Sequence, residues 1–340
     1  MSLNPDKILL SHGNGGRLMH ELISGLFLRH FSNSILDEQS DSAILPVDTA
    51  EIAFTTDSFV IDPLFFPGGN IGKLAVCGTV NDLSVSGATP LYISVSLIIE
   101  EGFPMKDLEM IVRSLAEEAV KAGVTIVTGD TKVVNKGKCD KLFINTAGIG
   151  RLDRGRNLAG RFRSVIPGDV IIINGSLGDH GMAVMNARES FNFRSPVLSD
   201  CCCLNGLIGQ VLDQSSTVRF MRDATRGGVA TVLNELGGKI PFGIEVDEES
   251  LPLDKGVSAM CEILGFDPLY IANEGKVIIV AGEAESSLIL ELLHSHEFGQ
   301  EAAIIGRVVR DHPGKVVLKT STGGKRIIDV LTGDQLPRIC

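Results

Sequence analysis

Three aspartates stand at the ends of apolar runs or in the helix that follows: Asp57 in Thr55-Thr56-Asp57-Ser58, Asp82 in Asn81-Asp82, and Asp130 in Gly129-Asp130-Thr131-Lys132. Carboxylates so placed can converge in one cleft. Magnesium takes oxygen ligands, usually one or two carboxylates plus the phosphates of a nucleotide. Taken singly, such aspartates more often cap helices or form turns, and three in one stretch bring the metal reading level with that one. A second constellation is Arg222-Asp223-Ala224-Thr225-Arg226-Gly227-Gly228, which opens a helix with Val229, Val232, Leu233 and Leu236 as its apolar stripe. Exposed N–H groups at a glycine-rich helix start attract anions, and Arg226 adds charge; the alternative is a plain N-cap by Thr225. The loop Ser11-His12-Gly13-Asn14-Gly15-Gly16 also feeds a helix and reads equally as a phosphate clamp or a flexible lead-in. Lys132 can hold phosphate or move a proton. Glu274, in Asn273-Glu274-Gly275-Lys276, is a solvated turn residue unless its neighbours make it a base.

Familiar nucleotide and metal motifs are absent. Gly68-Gly69-Asn70-Ile71-Gly72-Lys73-Leu74 is one residue short of a phosphate-binding loop and carries Leu74 where a hydroxyl is needed. Gly148-Ile149-Gly150 lacks a third glycine, and His20-Glu21 lacks the second histidine of a zinc protease. Seven cysteines include no C-x-x-C pair, so neither a disulfide framework nor a zinc pattern is expected. Cys201-Cys202-Cys203 adjoins a helical apolar stripe (Leu204, Leu207, Ile208, Val211) and reads as buried small hydrophobes. Cys340 closes the sequence, one position in which prenylation is ruled out. It is either an incidental thiol or the end of an arm that, fully extended from Gly323, reaches roughly 55–60 Å.

The elements that must position these groups alternate. Strand-like runs at 52–56, 92–99, 124–127 and 142–146 enclose helices at about 71–87 and 106–121, the second stopped by Gly123. A basic, glycine-containing stretch at 151–164 suggests a domain boundary. Beyond it, strands near 169–174, 242–246, 276–281, 303–309 and 315–319 alternate with helices near 200–213, 228–237, 256–264 and 284–295. Both halves read as α/β units, and 340 residues suit two domains. With 31 basic against 42 acidic side chains, the net charge of −11 excludes a backbone grip on nucleic acid. No apolar run approaches the roughly 20 residues of a membrane span, and no signal peptide opens the chain, so a cytoplasmic protein is expected.

Together these motifs resemble the PurM-like (AIR synthetase-related) family of ATP-using enzymes. The resemblance runs through the 11–16 loop, the stretch from Thr56 to Lys73, Gly129-Asp130-Thr131-Lys132-Val133-Val134, the 223–228 turn and Asn273-Glu274-Gly275-Lys276. The ending Pro337-Arg338-Ile339-Cys340 resembles the terminal signature of the family's [NiFe]-hydrogenase-maturation branch. The resemblance implies a two-domain α/β PurM-like fold. Its N-terminal domain would have a mixed sheet that forms a barrel across a homodimer; its C-terminal domain would be an α/β sandwich. The expected divisions are 1–34 (segment with the phosphate loop), 35–155, 156–322 and a mobile tail 323–340.

It further implies ATP-dependent dehydration of an S-carbamoyl group on Cys340 to a thiocyanate. HypF would supply the carbamoyl group, and a HypC–HypD complex would take the cyano group to iron. Asp57, Asp82, Asp130 and Asp223 would hold Mg2+ and phosphates. His12, Gly13, Gly15, Gly16, Lys73, Asp130, Thr131, Thr225, Arg226 and Gly227 would bind ATP, and Lys132 and Glu274 would remove the nitrogen protons. Within the wider family a selenophosphate synthetase would want a cysteine in the N-terminal loop, whereas the first here is Cys77. Other small-molecule kinases or synthetases would not need Cys340. A non-catalytic maturation scaffold would need no ATP turnover.

Overall fold

The computed structural model describes residues 6–13, 17–36, 45, 48, 51–153, 155–158, 161–189, 197–330, 336, 338 and 339. An N-terminal helical segment, α1 (Arg17–Leu22), a π-helical turn (Ile23–Phe27) and α2 (Leu28–Phe31), buries Leu22, Leu26 and Phe27. Then come β1 (Glu51–Phe59), the small ribbon β2 (Phe65–Phe66) and β3 (Gly69–Asn70), α3 (Ile71–Val85), β4 (Thr89–Glu100), α4 (Met105–Ala122), β5 (Thr125–Val134) and β6 (Leu142–Leu152). Their four-stranded sheet has the order β1-β6-β4-β5, antiparallel except for the β4–β5 pair that α4 joins.

Alternation along β1 turns Thr55, Asp57 and Phe59 toward α3 and leaves Ile52 and Phe54 on the other face, 51% and 68% exposed. The Asn70 side chain caps α3, accepting from the N–H groups of Gly72 (2.8 Å) and Lys73 (3.2 Å). α3 crosses α4 closely, since a Cβ on Gly72 would lie 2.3 Å from the Ile111 carbonyl oxygen. Leu108, Ile111, Val112, Leu115 and Ala119 form the buried stripe of α4, and Gly123 ends it at φ 69° as the sequence suggests.

The second half contains β7 (Val170–Ile173), α5 (Asp179–Glu189), α6 (Asn205–Gln214), β8 (Val218–Asp223), α7 (Gly228–Gly237), β9 (Gly243–Asp247), α8 (Lys255–Leu264), β10 (Val277–Ala281), α9 (Ser286–His294), β11 (Ala303–Val309), β12 (Val316–Lys319) and β13 (Lys325–Ile328). Its seven-stranded sheet runs β13-β12-β9-β11-β7-β10-β8, with apolar clusters on both faces. Among the described residues no helix is long and apolar enough to cross a membrane.

Four expectations need correction. The strand expected at 124–127 continues to Val134, so Asp130 lies inside a strand, as Asp57 does in β1. The helix expected from 200 starts at Asn205, which leaves Cys201–Cys203 in an irregular segment because their contacts are with α3 and α4. β8 and α5 are additional elements. The tail is not free from 323 onward: Lys325–Ile328 pairs with β12, Ile328 is fully buried, and Ile339 is 4% exposed. Ladder hydrogen bonds along an open sheet edge supply what the few apolar side chains of this segment cannot.

Gly228 combines a positive φ (58°) with crowding, because a Cβ there would lie 2.5 Å from the Ile271 oxygen and 2.6 Å from that of Leu269. Gly123 has a similar φ but open space around it. Gly228→Ala is therefore expected to lose at least about 2 kcal/mol in urea unfolding and Gly123→Ala only about 1 kcal/mol. Equal losses would contradict the crowding.

Candidate active site

The face of β1 that meets α3 puts Thr55 and Asp57 beside Asp82, whose Oδ2 accepts a hydrogen bond from the Thr55 hydroxyl at 2.9 Å. β8 brings Asp223 to the same place from the second domain. All three carboxyls are held above the ordinary range. For Asp57 burial is the cause, opposed by the Ser58 N–H and Arg226. For Asp82 it is burial and then the charge of Asp57, against the Thr55 bond and Arg222. Asp223 is pushed up to about 7 by burial, then by Asp82 and Asp57. Arg222 and Arg226 offset these upward shifts only in part. A divalent cation that prefers oxygen ligands fits this donor set, with Asp57, Asp82 and Asp223 to hold it.

Glu274 enters through strand register: Val277 pairs with Asp223, so the residues preceding β10 lie beside the end of β8. It is 3% exposed, not the solvated turn residue its sequence position suggests. Asp200 accepts from the N–H groups of Glu274 and Gly275 (both 3.1 Å) and from the Lys276 ammonium at 2.9 Å. Burial opposes the charge on Asp200, but the Lys276 ammonium, by its charge and its hydrogen bond, and the Glu274 N–H outweigh it and hold its carboxyl below the ordinary range. Asn81, one residue before Asp82, donates to the carbonyls of Cys202 (3.0 Å) and Glu274 (3.4 Å) and accepts from Leu204 N–H at 2.8 Å. Asn273 donates to the Ala224 carbonyl (2.9 Å) and accepts from Gly178 N–H (2.7 Å). Thr225 makes no side-chain cap on α7; Gly227, at φ 69°, occupies that position. The plain-cap alternative is thereby excluded. The 225–227 turn stands at the carboxylate cleft through Asp223 and through Arg226, whose charge reaches Asp57.

The remaining anticipated residues lie elsewhere in the chain. Asp57 shares a rank with Thr146, Val95 and Gly129 across the sheet, so Asp130 is three strands away, roughly 14 Å. There Lys132 pairs with Asp130 at 2.7 Å and draws its carboxyl below the ordinary range. Thr131 is buried beside them, and the 3-10 turn carrying His12 and Gly13 packs on this strand. The His12 ring, 3% exposed, accepts from Leu9 N–H. Lys73 is nine residues before Asp82 on α3, roughly 13 Å along the axis, and its ammonium donates to the Gly68 carbonyl. Gly15, Gly16 and Cys340 lie outside the described residues.

The residues adjoining Cys340 are held between the domains. His180 is fully buried; one ring nitrogen, Nε2, meets the Ile339 carbonyl at 2.7 Å and the other, Nδ1, meets Ser199 Oγ at 2.8 Å. A carbonyl only accepts, so the ring carries its proton on Nε2, and burial favours the neutral form. Arg338 donates to the Val60 carbonyl and pairs with Asp140, while Arg188 donates to its carbonyl. Ile339 belongs to the apolar cluster that contains Ala272, two residues before Glu274.

The AIR synthase related protein models match this chain, the N-terminal domain over residues 39–152 and the C-terminal domain over 167–319. The carbamoyl dehydratase HypE of Rhizobium leguminosarum bv. viciae is 49% identical over 335 residues, 98% of this chain and 95% of that protein. The chain belongs to the HypE family. A solved hydrogenase maturation protein HypE in complex with ATP has a TM-score of 0.93 at 46% identity, covering 98% of this chain and 99% of its own. A HypE–HypF complex contains a chain with a TM-score of 0.79 at 48% identity, covering 91% and 99%. The two sheets are thus the two-domain PurM-like α/β fold of HypE proteins. Among the residues described above, Asn81, Asp200, Asn273, Lys276 and His180 support the site without having been assigned a role from sequence. Asn81, Asn273 and Lys276 adjoin anticipated residues, whereas nothing in the local sequence marks Asp200.

Because folded Asp223 takes its proton at about 7 and an unfolded aspartate near 4, this group favours folding most below about pH 4. That contribution is lost as pH rises through 7 and amounts to a few kcal/mol. Asp223→Asn, measured by urea unfolding without divalent cations, is expected to stabilise the protein at pH 8 and much less at pH 5. Equal effects at both pH values would refute the charge crowding.

Proposed function

We propose that this chain carries out the ATP-dependent dehydration of an S-carbamoyl group on its own Cys340, giving a thiocyanate for the iron centre of a [NiFe]-hydrogenase. The observation that carries this reading is the docking of Ile339: the residue before Cys340 is buried at His180, in the cluster that supports the Glu274 segment. ATP binding and HypF as carbamoyl donor are supported by the relatives solved with ATP and with HypF. The HypC–HypD complex as cyano acceptor follows from the same family reading.

The chemistry needs the carboxamide oxygen turned into a leaving group. Its oxygen attacks the γ-phosphorus, ADP departs, and the nitrogen loses one proton, giving an O-phosphorylated imidate. Loss of the second nitrogen proton then expels phosphate and leaves the carbon–nitrogen triple bond. Two protons must therefore be taken from one nitrogen, and Glu274 and Lys132 are the groups assigned to them. Glu274 suits the task because Asp200 and Asn81 fix its backbone in a buried segment. When bound at Asp57, Asp82 and Asp223, Mg2+ supplies charge neutralisation for the phosphates. Thr225 lines the same cleft and the charge of Arg226 reaches Asp57, so the 225–227 turn is the part assigned to orient the nucleotide.

Asp130, Thr131 and Lys132 stand too far across their own sheet to reach that cleft within one chain. A homodimer built on the open sheet face, where Phe54 and Ile52 are exposed, brings a second copy's β5 toward it and gives Lys132 its role. In this reading residues 35–155 form the ATP-binding and dimerisation unit and 156–322 the covering domain.

After incubation with HypF, carbamoyl phosphate and MgATP, intact mass of the C-terminal peptide is expected to show a carbamoyl adduct that loses one water only when ATP can be cleaved. Cys340→Ala should prevent the adduct while retaining ATP binding, and Asp82→Asn should keep the adduct but block dehydration. An adduct that never dehydrates in the unaltered protein would leave a scaffold; no adduct would return the chain to the small-molecule kinases. Separately, Phe54→Arg is expected to give monomers by sedimentation and to lower dehydration at least about tenfold. Full activity in a monomer would overturn the dimer.

A further inference from the structure

One side-chain cluster lies outside the chemistry assigned above. Cys77 of α3, Glu118 of α4 and Cys203 of the segment before α6 place two sulfurs and a carboxylate oxygen within 4.8 Å of one another. The two sulfurs are 3.5 Å apart. Cys77 is fully buried, Glu118 is 7% exposed and Cys203 is half-buried. Cys201 reaches Cys77 from the same segment, thiol to thiol.

Small-hydrophobe packing, the expectation for these cysteines from sequence, suits Cys261, which sits among Val257, Met260 and Ile271. It does not explain a buried carboxylate set against two thiols. Two ligands held tetrahedrally at about 2.3 Å from a zinc ion are separated by roughly 3.7 Å, close to the sulfur spacing here. The carboxylate closes the remaining gap of about 1 Å by turning its flexible stem. Two thiolates and one carboxylate carry −3, a divalent ion brings this to −1, and Lys121, 2.7 Å from Glu118, completes neutrality and orients the ligand. Sulfur donors select a borderline or soft ion over magnesium or calcium. The cavity lined by Glu118, Cys201 and Lys121 provides an entry path.

We propose that Cys77, Cys203 and Glu118 form a binding site for a divalent thiophilic ion of the zinc type, its fourth position facing Cys201. Binding exchanges the two thiol protons for the metal and releases them to solvent. The ion ties α3 and α4 of the first domain to the segment that carries Asp200, and so to the backbone of Glu274. It is independent of the magnesium position and of the dehydration reading.

The test uses reduced, chelator-treated full-length protein without nucleotide, titrated anaerobically with Co2+. One equivalent per chain is expected, with a thiolate-to-cobalt charge-transfer band and intense visible bands of a tetrahedral ion, both removed by Zn2+. Cys203→Ser and Glu118→Gln should each weaken binding at least about tenfold. Cys340→Ala and Cys261→Ala should leave it unchanged. Cys203 is the preferred variant, because serine at the fully buried Cys77 would put a hydroxyl in the core. Zn2+ should also raise the unfolding temperature of the parent protein but not of Cys203→Ser. Absence of the thiolate band, its persistence in Cys203→Ser, or its loss in Cys340→Ala would overturn the site.

Discussion

A single buried ammonium holds the cleft in shape. Lys276 lies between Asp200 at 2.9 Å and Asp179 at 3.5 Å, with all three side chains nearly out of solvent. Asp200 has oxygens to spare, and it spends them on the N–H groups of Glu274 and Gly275. The charge pair thus sets the path of the chain just before β10, and that path sets where Glu274 stands relative to Asp223. Such pairs add little net stability over apolar packing, but breaking one leaves an uncompensated buried charge worth about 3–5 kcal/mol. The arrangement specifies geometry more than it stabilises the fold.

The same economy appears in α3. Within six residues it presents Cys77, Asn81 and Asp82, and positions 77 and 81 lie on one face, one turn apart. Asn81 binds two loops of the second domain while its neighbour turns a carboxylate into the cleft. Rotation or translation of this helix would move the carboxylate and the domain contact together. Its fixed start, capped by Asn70 and pressed against α4 at Gly72, is therefore as much a part of the site as the acidic residues are.

Sequence patterning revealed most strands and helices because their apolar residues recur at periods of two or near four. It failed where that signal is diluted. β8, Val218-Arg219-Phe220-Met221-Arg222-Asp223, is an edge strand whose charged residues hide the alternation. α5 begins in Gly178-Asp179-His180-Gly181, which reads as a turn until Ile271 and Ala272 pack against it. The acidic cleft was legible in part: Asp57, Asp82 and Asp223 converge, but a linear sequence does not state that Asp130 is paired into the opposite side of the same sheet. Nor does it show that Glu274 is buried, since the carboxylate that fixes its backbone is Asp200, 74 residues away.

The attachment of Arg338 and Ile339 has a thermodynamic consequence. Its bonds are a neutral imidazole to a carbonyl, the Asp62 N–H to a carbonyl, a guanidinium to a carbonyl, a second guanidinium to a carbonyl and a surface ion pair. Each such contact contributes about 1 kcal/mol net or less, slightly more where a charged donor is involved. Detachment strands no buried ion, because His180 is neutral and both arginines reach solvent. Burial of Ile339 adds about 2 kcal/mol and the entropy of ordering the arm opposes it, so the seated and withdrawn states differ by only a few kcal/mol, small enough for a modest affinity elsewhere to invert the populations. An arm retained in this way acts as a ligand of its own protein, with an occupancy that competing surfaces can titrate.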